Sequence, residues 1–204
     1  MALYIMGAGE FYGFERRPAP HDCIIAADGG YALCRREGIM PDLVLGDFDS
    51  LGEIPDHPNT YLAPVEKDDT DMMLAIKKGL SMGHKEVHIY GGTGGRLDHT
   101  LANLQSLLYI VRHGGSAWLY DKDARYTVLE NGTLSFPARE KGVLSVFAMD
   151  GEAKGVSILG AKYPLKDGDL TPDFPLGISN HFVGEQVTVS VKNGALLICL
   201  GDYA

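Results

Sequence analysis

Two acidic clusters lie one connection apart in the chain, Gly46-Asp47-Phe48-Asp49-Ser50 and Lys67-Asp68-Asp69-Thr70-Asp71. Carboxylates gathered this tightly repel one another unless a cation sits among them. A hard divalent ion such as Mg²⁺ takes oxygen ligands, usually one or two carboxylates with waters and substrate phosphates, so the pair of clusters reads as a metal–phosphate site. In an extended segment Asp47 and Asp49 project to the same side and can share the ion. Asp68 and Asp71, three apart, can face one direction, leaving Lys67 to touch a phosphate oxygen. The bland alternative is a pair of solvated turns, with Thr70 as a helix N-cap and Asp71 as its first-turn acid. Against it, the second cluster holds more acids than one cap needs.

A third segment, Gly91-Gly92-Thr93-Gly94-Gly95-Arg96, has four glycines in five positions. Such a loop admits positive φ and lets backbone N–H groups approach an anion closely. Arg96, Leu97, Asp98 and His99 then open a helical pattern, placing a guanidinium beside a helix N-terminus; the bland reading is a flexible turn capped by Asp98. The loop is neither a Walker A sequence nor the dinucleotide fingerprint, and Gly7-x-Gly9 after the first apolar run lacks the third glycine of the latter.

These segments need a scaffold, and the first 120 residues supply one. Short apolar runs alternate with helix-like stretches, which predicts βα units on a parallel sheet. Strands are expected at 3–6, 23–27, 43–45, 60–62, 86–90 and 117–120, and helices at 31–37, 70–80 and 99–112. Ligands of such sheets bind beyond the carboxyl ends of the strands, where Asp28-Gly29-Gly30 and the three segments above all fall. After Asp121 the pattern becomes β-rich, with strands expected at 143–148, 156–159, 186–191 and 196–200, and Lys192-Asn193-Gly194 reads as a hairpin turn. The expected fold is therefore α/β: a Rossmann-like, mostly parallel sheet with flanking helices, then a smaller antiparallel β-sandwich. A boundary near 121–127 gives domains 1–123 and 124–204.

Composition narrows the chemistry. With 204 residues, 45% hydrophobic and 22% charged, the chain can bury a core. A net charge of −9 and no basic stripe argue against nucleic acid. Cys23, Cys34 and Cys199 are odd in number and widely spaced, as buried thiols of a reducing compartment would be. The remaining histidines are scattered without metal-ligand spacing, Trp118 reads as core, and no nucleophile motif supports covalent catalysis. Met1-Ala-Leu-Tyr-Ile-Met-Gly has no basic n-region and too short an apolar run for a signal or a membrane span, so the cytoplasm is expected.

In this order, Asp28-Gly29-Gly30, Gly46–Ser50, Lys67-Asp68-x-Thr70-Asp71, Gly91-Gly92-x-Gly94-Gly95-Arg96-x-Asp98-His99 and Ser179-Asn180 resemble the thiamine pyrophosphokinase family, over about residues 25–182. The resemblance implies transfer of pyrophosphate from ATP to the hydroxyethyl oxygen of thiamine, with Mg²⁺ required. It implies Asp47, Asp49 and Asp71 as metal ligands, and Lys67, Arg96, Asp68 and Asp71 as the residues serving catalysis. Asp68 and Asp71 both stand as possible acceptors of the alcohol's proton. Asp28, Gly29, Gly30, Asp49, Lys67, Gly94, Gly95, Arg96, Asp98 and His99 would bind nucleotide or substrate. Ser179 and Asn180 would belong to the thiamine pocket of the β domain, which also dimerises, with sites shared between subunits. One departure is the lack of a tryptophan beyond residue 123 to stack on thiamine; Phe182 and Tyr163 are the aromatic substitutes. Competing readings are a Mg²⁺-dependent phosphohydrolase of the haloacid-dehalogenase type, whose motif wants Thr or Val where Leu51 stands, and a nucleotide-binding module without turnover.

Overall fold

The computed structural model describes residues 1–49 and 52–203, so Ser50 and Leu51 of the first acidic motif lie outside the described residues. Contacts divide the chain into two units, Met1–Lys122 and Asp123–Ala204. In the first, β1 (Leu3–Met6), β2 (Cys23–Ala27), β3 (Leu43–Gly46), β4 (Thr60–Leu62), β5 (Glu86–Tyr90) and β6 (Ser116–Tyr120) are joined with α1 (Gly30–Arg36), α2 (Asp71–Ser81) and α3 (Leu97–Arg112). The strands lie side by side in the order β6-β5-β1-β2-β3-β4, and each neighbouring pair is parallel. A central parallel strand is covered on both faces, and Leu3, Tyr4, Ile5 and Met6 of β1 are all fully buried.

The two faces are covered differently. On one, α2 presents Met72, Ala75, Ile76 and Gly79 at helical spacing. Gly79 allows the close approach, because a Cβ would sit 2.1 Å from Leu3 Cδ2. Thr70 caps this helix by accepting from Met73 N at 3.1 Å. The other face receives α1 and, between β1 and β2, a strap of non-helical chain where a βα unit would place a helix. The strap packs two partly buried aromatics there instead: Phe11 and Phe14 meet the ring of Tyr90 edge-on at 6.1 and 4.9 Å, while Tyr12 is exposed. Tyr90 Oη accepts from Arg16 N and donates to Arg16 O, at 3.0 and 2.9 Å. His88, buried in the same aromatic stack, bonds Tyr120 Oη at 2.9 Å. Trp118, expected in the core, is only half-buried.

The second unit contains β7 (Ala124–Phe136), β8 (Val143–Ala148), β9 (Ala153–Leu159), β10 (Leu165–Leu170), β11 (Asn180–His181) and β12 (Val187–Gly201), all paired antiparallel. The hairpin expected at Lys192-Asn193-Gly194 is not formed, since residues 187–201 make one strand running along the whole of β7. The register passes from Val191↔Gly132 to Ala195↔Glu130, so three residues of β12 face Asn131 alone. This bulge uses φ +47 at Asn131 and φ +114 at Gly194, whose N–H donates to Asn131 Oδ1 at 2.9 Å. It redirects the strand. Before it, Thr188–Ser190 also pairs with β9, as Asn193 does within it; after it, Leu196–Gly201 pairs with β8. Pairing on both sides of the strand outweighs the local turn preference of Asn-Gly. No helix among the described residues is long and apolar enough to cross a membrane.

Candidate active site

From β1 the chain builds β2, β3 and β4 to one side of the sheet and β5 and β6 to the other. The loops after β1 and β5 therefore diverge, which is where open parallel sheets bind ligands. Both loops are glycine-rich and they touch. Gly7 N donates to Tyr90 O, Gly9 N to Gly91 O and Glu10 N to Thr93 O, each at 2.8 Å. A Cβ on Gly9 would lie 2.2 Å from Thr93 O, and one on Gly7 2.4 Å from Gly91 O. Asn103, buried on α3, fixes Gly92 O by donating at 2.7 Å, and Thr93 Oγ1 donates to Asp121 Oδ1 at 2.9 Å. A cleft of about 130 Å³ opens over this cradle, with Asp28, Asp71, Gly94 and His99 on its walls. Gly7, Gly9, Thr93 and Asn103 were not among the expected site residues. Gly7-x-Gly9 after the first strand was the available signal, and Asn103 shows as a polar residue seven positions before Ile110 on the helix's buried face.

The acids assemble beside the cradle. Oxygens of Asp28, Asp47 and Asp49 all come within 4.8 Å of one another. They meet by a route other than extended chain. Phe48 has φ +58 and is only 3% exposed, packed with Tyr4, Met6, Ala26 and Val44. A left-handed conformation is unfavourable for a bulky residue, and burial of the ring holds it while the carboxylates on either side converge with that of Asp28. Asp28 is also left-handed, at φ +48, and its N–H donates to Leu45 O at 2.8 Å. Gly46 permits that approach, because a Cβ there would be 3.0 Å from Asp28 Cα.

Lys67 lies between the two motifs. Its Nζ is 2.6 Å from Asp47 Oδ2 and 3.2 Å from Asp71 Oδ1, and it already spends its charge on carboxylates. The Lys67 hydrogen bond holds Asp47 below the usual carboxylate range. Burial pushes the Lys67 ammonium down, but its two carboxylate partners outweigh that and raise it. Asp71 is raised, first by burial and then by the charges of Asp47 and Asp28, against the pull of Lys67. The three-carboxylate group thus gathers Asp28, expected as a substrate contact, while Asp71 stands across Lys67 from Asp47. Its donor set, all carboxylate oxygen, fits a hard divalent cation.

Other expected residues are placed apart from this group. Asp68 is exposed, and Asp69 pairs with Lys77 at 2.7 Å. Arg96 turns along the surface into a two-point pair with Asp98, Nη2–Oδ2 2.7 Å and Nε–Oδ1 3.2 Å. Arg96 is itself the N-cap residue of α3, so Asp98 lies in the first turn. Gly29 is the N-cap residue of α1, and Gly30 packs so tightly that a Cβ would be 1.8 Å from Met6 O. Gly94 and Gly95 have φ +80 and +61, as the loop's positive-φ reading requires. All three cysteines are buried, and none is joined in a disulfide.

In the second unit, Ser179 has φ +58 and its N–H donates to Ser145 Oγ at 3.0 Å. Asn180 is 5% exposed; its Oδ1 accepts from Tyr163 N and His181 N at 2.9 Å, and its Nδ2 donates to Tyr163 O at 2.7 Å. The two aromatic substitutes separate. Phe182 is buried beneath the Arg139 guanidinium, 5.4 Å from its ring centroid, whereas Tyr163 is 59% exposed.

Residues 15–119 match the family model described as thiamin pyrophosphokinase, catalytic domain, and residues 131–196 match that of the vitamin B1 binding domain. The chain is 30% identical to thiamine pyrophosphokinase of Bacillus subtilis over 185 residues, covering 87% of this chain and 86% of that one. The crystal structure of thiamine pyrophosphokinase from B. subtilis superposes with a TM-score of 0.88 at 27% identity, covering all of both chains. That from Geobacillus thermodenitrificans gives 0.87 at 25%, covering 100% of this chain and 99% of the other.

Proposed function

The chain belongs to the thiamine pyrophosphokinase family, and on that premise we propose that it transfers pyrophosphate from ATP to thiamine, giving thiamine diphosphate and AMP. The observation that carries this reading is the contact of two glycine loops at the sheet's switch point, beside a cluster of carboxylates. Backbone N–H groups there can approach a polyphosphate, while the acids hold the cation that such a ligand brings. Phosphoryl-type transfer depends on positioning and charge neutralisation more than on covalent help.

The proposal assigns nucleotide and metal to residues 1–123, and thiamine with dimerisation to residues 124–204. Asp28, Asp47 and Asp49 would hold Mg²⁺, which when bound neutralises phosphate charge. The hydroxyethyl oxygen attacks the β-phosphorus; the new O–Pβ bond forms as the bond from Pβ to the α,β-bridging oxygen breaks, and AMP leaves with that oxygen. The alcohol's proton passes to a carboxylate. Asp71 suits this role better than Asp68, because it lines the cleft and its pKa is raised, mainly by burial. Lys67, once released from Asp47 and Asp71, would meet phosphate oxygens. Arg96 would do so only after leaving Asp98. His99, on the cleft wall, would contact nucleotide or thiamine. In the second unit, Tyr163 is the aromatic whose exposure suits stacking on thiamine, with Ser179 and Asn180 beside it. The site would be completed in a homodimer by the second unit of the partner.

The test is product analysis with Mg-ATP and thiamine. Equal amounts of AMP and thiamine diphosphate are expected, while inorganic phosphate without AMP would replace this reading with the phosphohydrolase.

A further inference from the structure

Asn180 combines two properties that set it apart from a substrate ligand. It is almost wholly buried, and its carboxamide is committed to backbone: two N–H groups on its oxygen and one carbonyl on its nitrogen. Two of those three bonds go to the same residue, Tyr163. The segment between β9 and β10 runs antiparallel to β11, with a bridge Ala161↔Phe182 and a bond from Lys162 N to His181 O at 3.0 Å. At Tyr163 the neighbouring backbone no longer supplies partners. The Asn180 side chain does so instead, offering C=O and N–H as a strand's peptide group would. Aspartate lacks the donor for this, and alanine lacks both groups.

The consequence falls on the Tyr163 ring. Tyr163 is exposed, yet its backbone is bonded at both N–H and C=O, and Pro164 follows it and restricts its φ and ψ further. Exposed aromatics on loops are ordinarily mobile; this one is anchored. The Lys162 ammonium lies 5.3 Å from its ring centroid, so the ring already has a cation near it.

We propose that Asn180 is a positioning residue whose carboxamide clamps the Tyr163 backbone, so that the phenol ring stands as a fixed platform for a planar cationic heterocycle, without Asn180 touching that substrate. This rests on the reading of the second unit as the thiamine pocket. The clamp accounts for an asparagine at this position in terms of main-chain geometry rather than ligand contact.

The experiment compares the full chain with Asn180→Ala, Asn180→Asp, Tyr163→Ala and the Asn180→Ala/Tyr163→Ala double variant. Tyr163→Ala is expected to raise the KM for thiamine about tenfold, as loss of a desolvated cation–π contact would. Asn180→Ala should act in the same direction, with the KM for ATP unchanged, and the double variant should be no worse than Tyr163→Ala. A separate readout needs no turnover: tryptophan introduced by Tyr163→Trp in a Trp118→Phe background should lose fluorescence anisotropy when Asn180→Ala is added. Asn180→Asp, which keeps size and one acceptor, carries the test should the alanine variant not fold. An unchanged thiamine KM in Tyr163→Ala overturns the platform reading on which the inference rests. Unchanged anisotropy overturns the inference itself, and so does an Asn180 effect that persists undiminished on top of Tyr163→Ala, which would make Asn180 a direct contact.

Discussion

Replacing Lys67 by methionine removes the cation that the acidic cluster carries within the chain. The ammonium side chain is 14% exposed, and its partners Asp47 and Asp71 are 11% and 21% exposed. Breaking a fully buried pair costs about 3–5 kcal/mol, and an exposed pair about 0–1 kcal/mol. The intermediate burial here sets the expected loss at about 2 kcal/mol, or a fall in Tm of roughly 4–8 °C for a chain of this size. That loss should depend on metal. With EDTA, Lys67→Met leaves Asp28, Asp47, Asp49 and Asp71 facing one another without their ammonium, so the variant melts well below the parent. Adding Mg²⁺ should recover more Tm for the variant than for the parent, because the ion supplies the missing charge. Turnover should nonetheless fall by about 10²–10³, as expected when a preorganised cation at a reacting phosphate is lost. Lys77→Met is the control: its pair with Asp69 is far more exposed, and its melting should stay close to that of the parent with or without Mg²⁺. Equal melting of Lys67→Met and parent in EDTA, or equal Mg²⁺ shifts in both, would refute the reasoning.

Further substitutions separate the remaining roles. Asp71→Asn should lower turnover by about 10²-fold, as loss of a positioned proton acceptor does. The folded pKa of Asp71 lies above its unfolded value, so its ionisation costs the parent stability as pH rises through that interval. The metal-free variant should escape this cost, and urea titrations at pH 3 to 7 showing a parent-like slope would contradict the assignment. Gly9→Ala puts a Cβ 2.2 Å from Thr93 O; forcing the loops apart should cost about 1–3 kcal/mol and raise the KM for ATP selectively, measured by melting and initial rates. Burial lowers the pKa of His88, so its contribution to stability is present above about pH 6.5 and lost as pH falls through the folded value. His88→Phe should therefore flatten the stability profile between pH 7 and 5, and an unchanged slope would show that other groups carry it.

The parallel sheet was legible because its strands are short runs closed, in all but β4, by Gly or Asp, and β1, β2, β4 and β5 fall at the expected residues. The second unit was less so. The unbroken β7 escaped notice because Asn131-Gly132 interrupts its alternation, and Asn193-Gly194 suggested a turn for the same reason; both mark one bulge. At the site, spacing drew attention to Asp47 and Asp49 but not to what brings them together, the buried left-handed Phe48. Asp28 joins them only through the adjacency of β2 and β3, a relation between strands that no local pattern encodes. Arg96 was read as facing phosphate, yet a carboxylate two residues away takes its fork. Asn180 was assigned to the thiamine pocket through the resemblance alone; its burial, with the amide bonded to the backbone of Tyr163, is a relation between segments that no local pattern encodes.

The bend in β12 also bears on how the second unit acquires its structure. All the strands that β12 pairs with here, β7, β8 and β9, precede it in the chain, and its pairing with β7 closes loops of about 50 to 80 residues. Contacts of that sequence separation form slowly. Until β12 docks, β7 lacks its long antiparallel partner and β8 and β9 each lack a shared neighbour, so their edges stand open. The unit should accordingly form in one late cooperative step, and the interval before that step is when its exposed strand edges are most vulnerable to pairing with another chain.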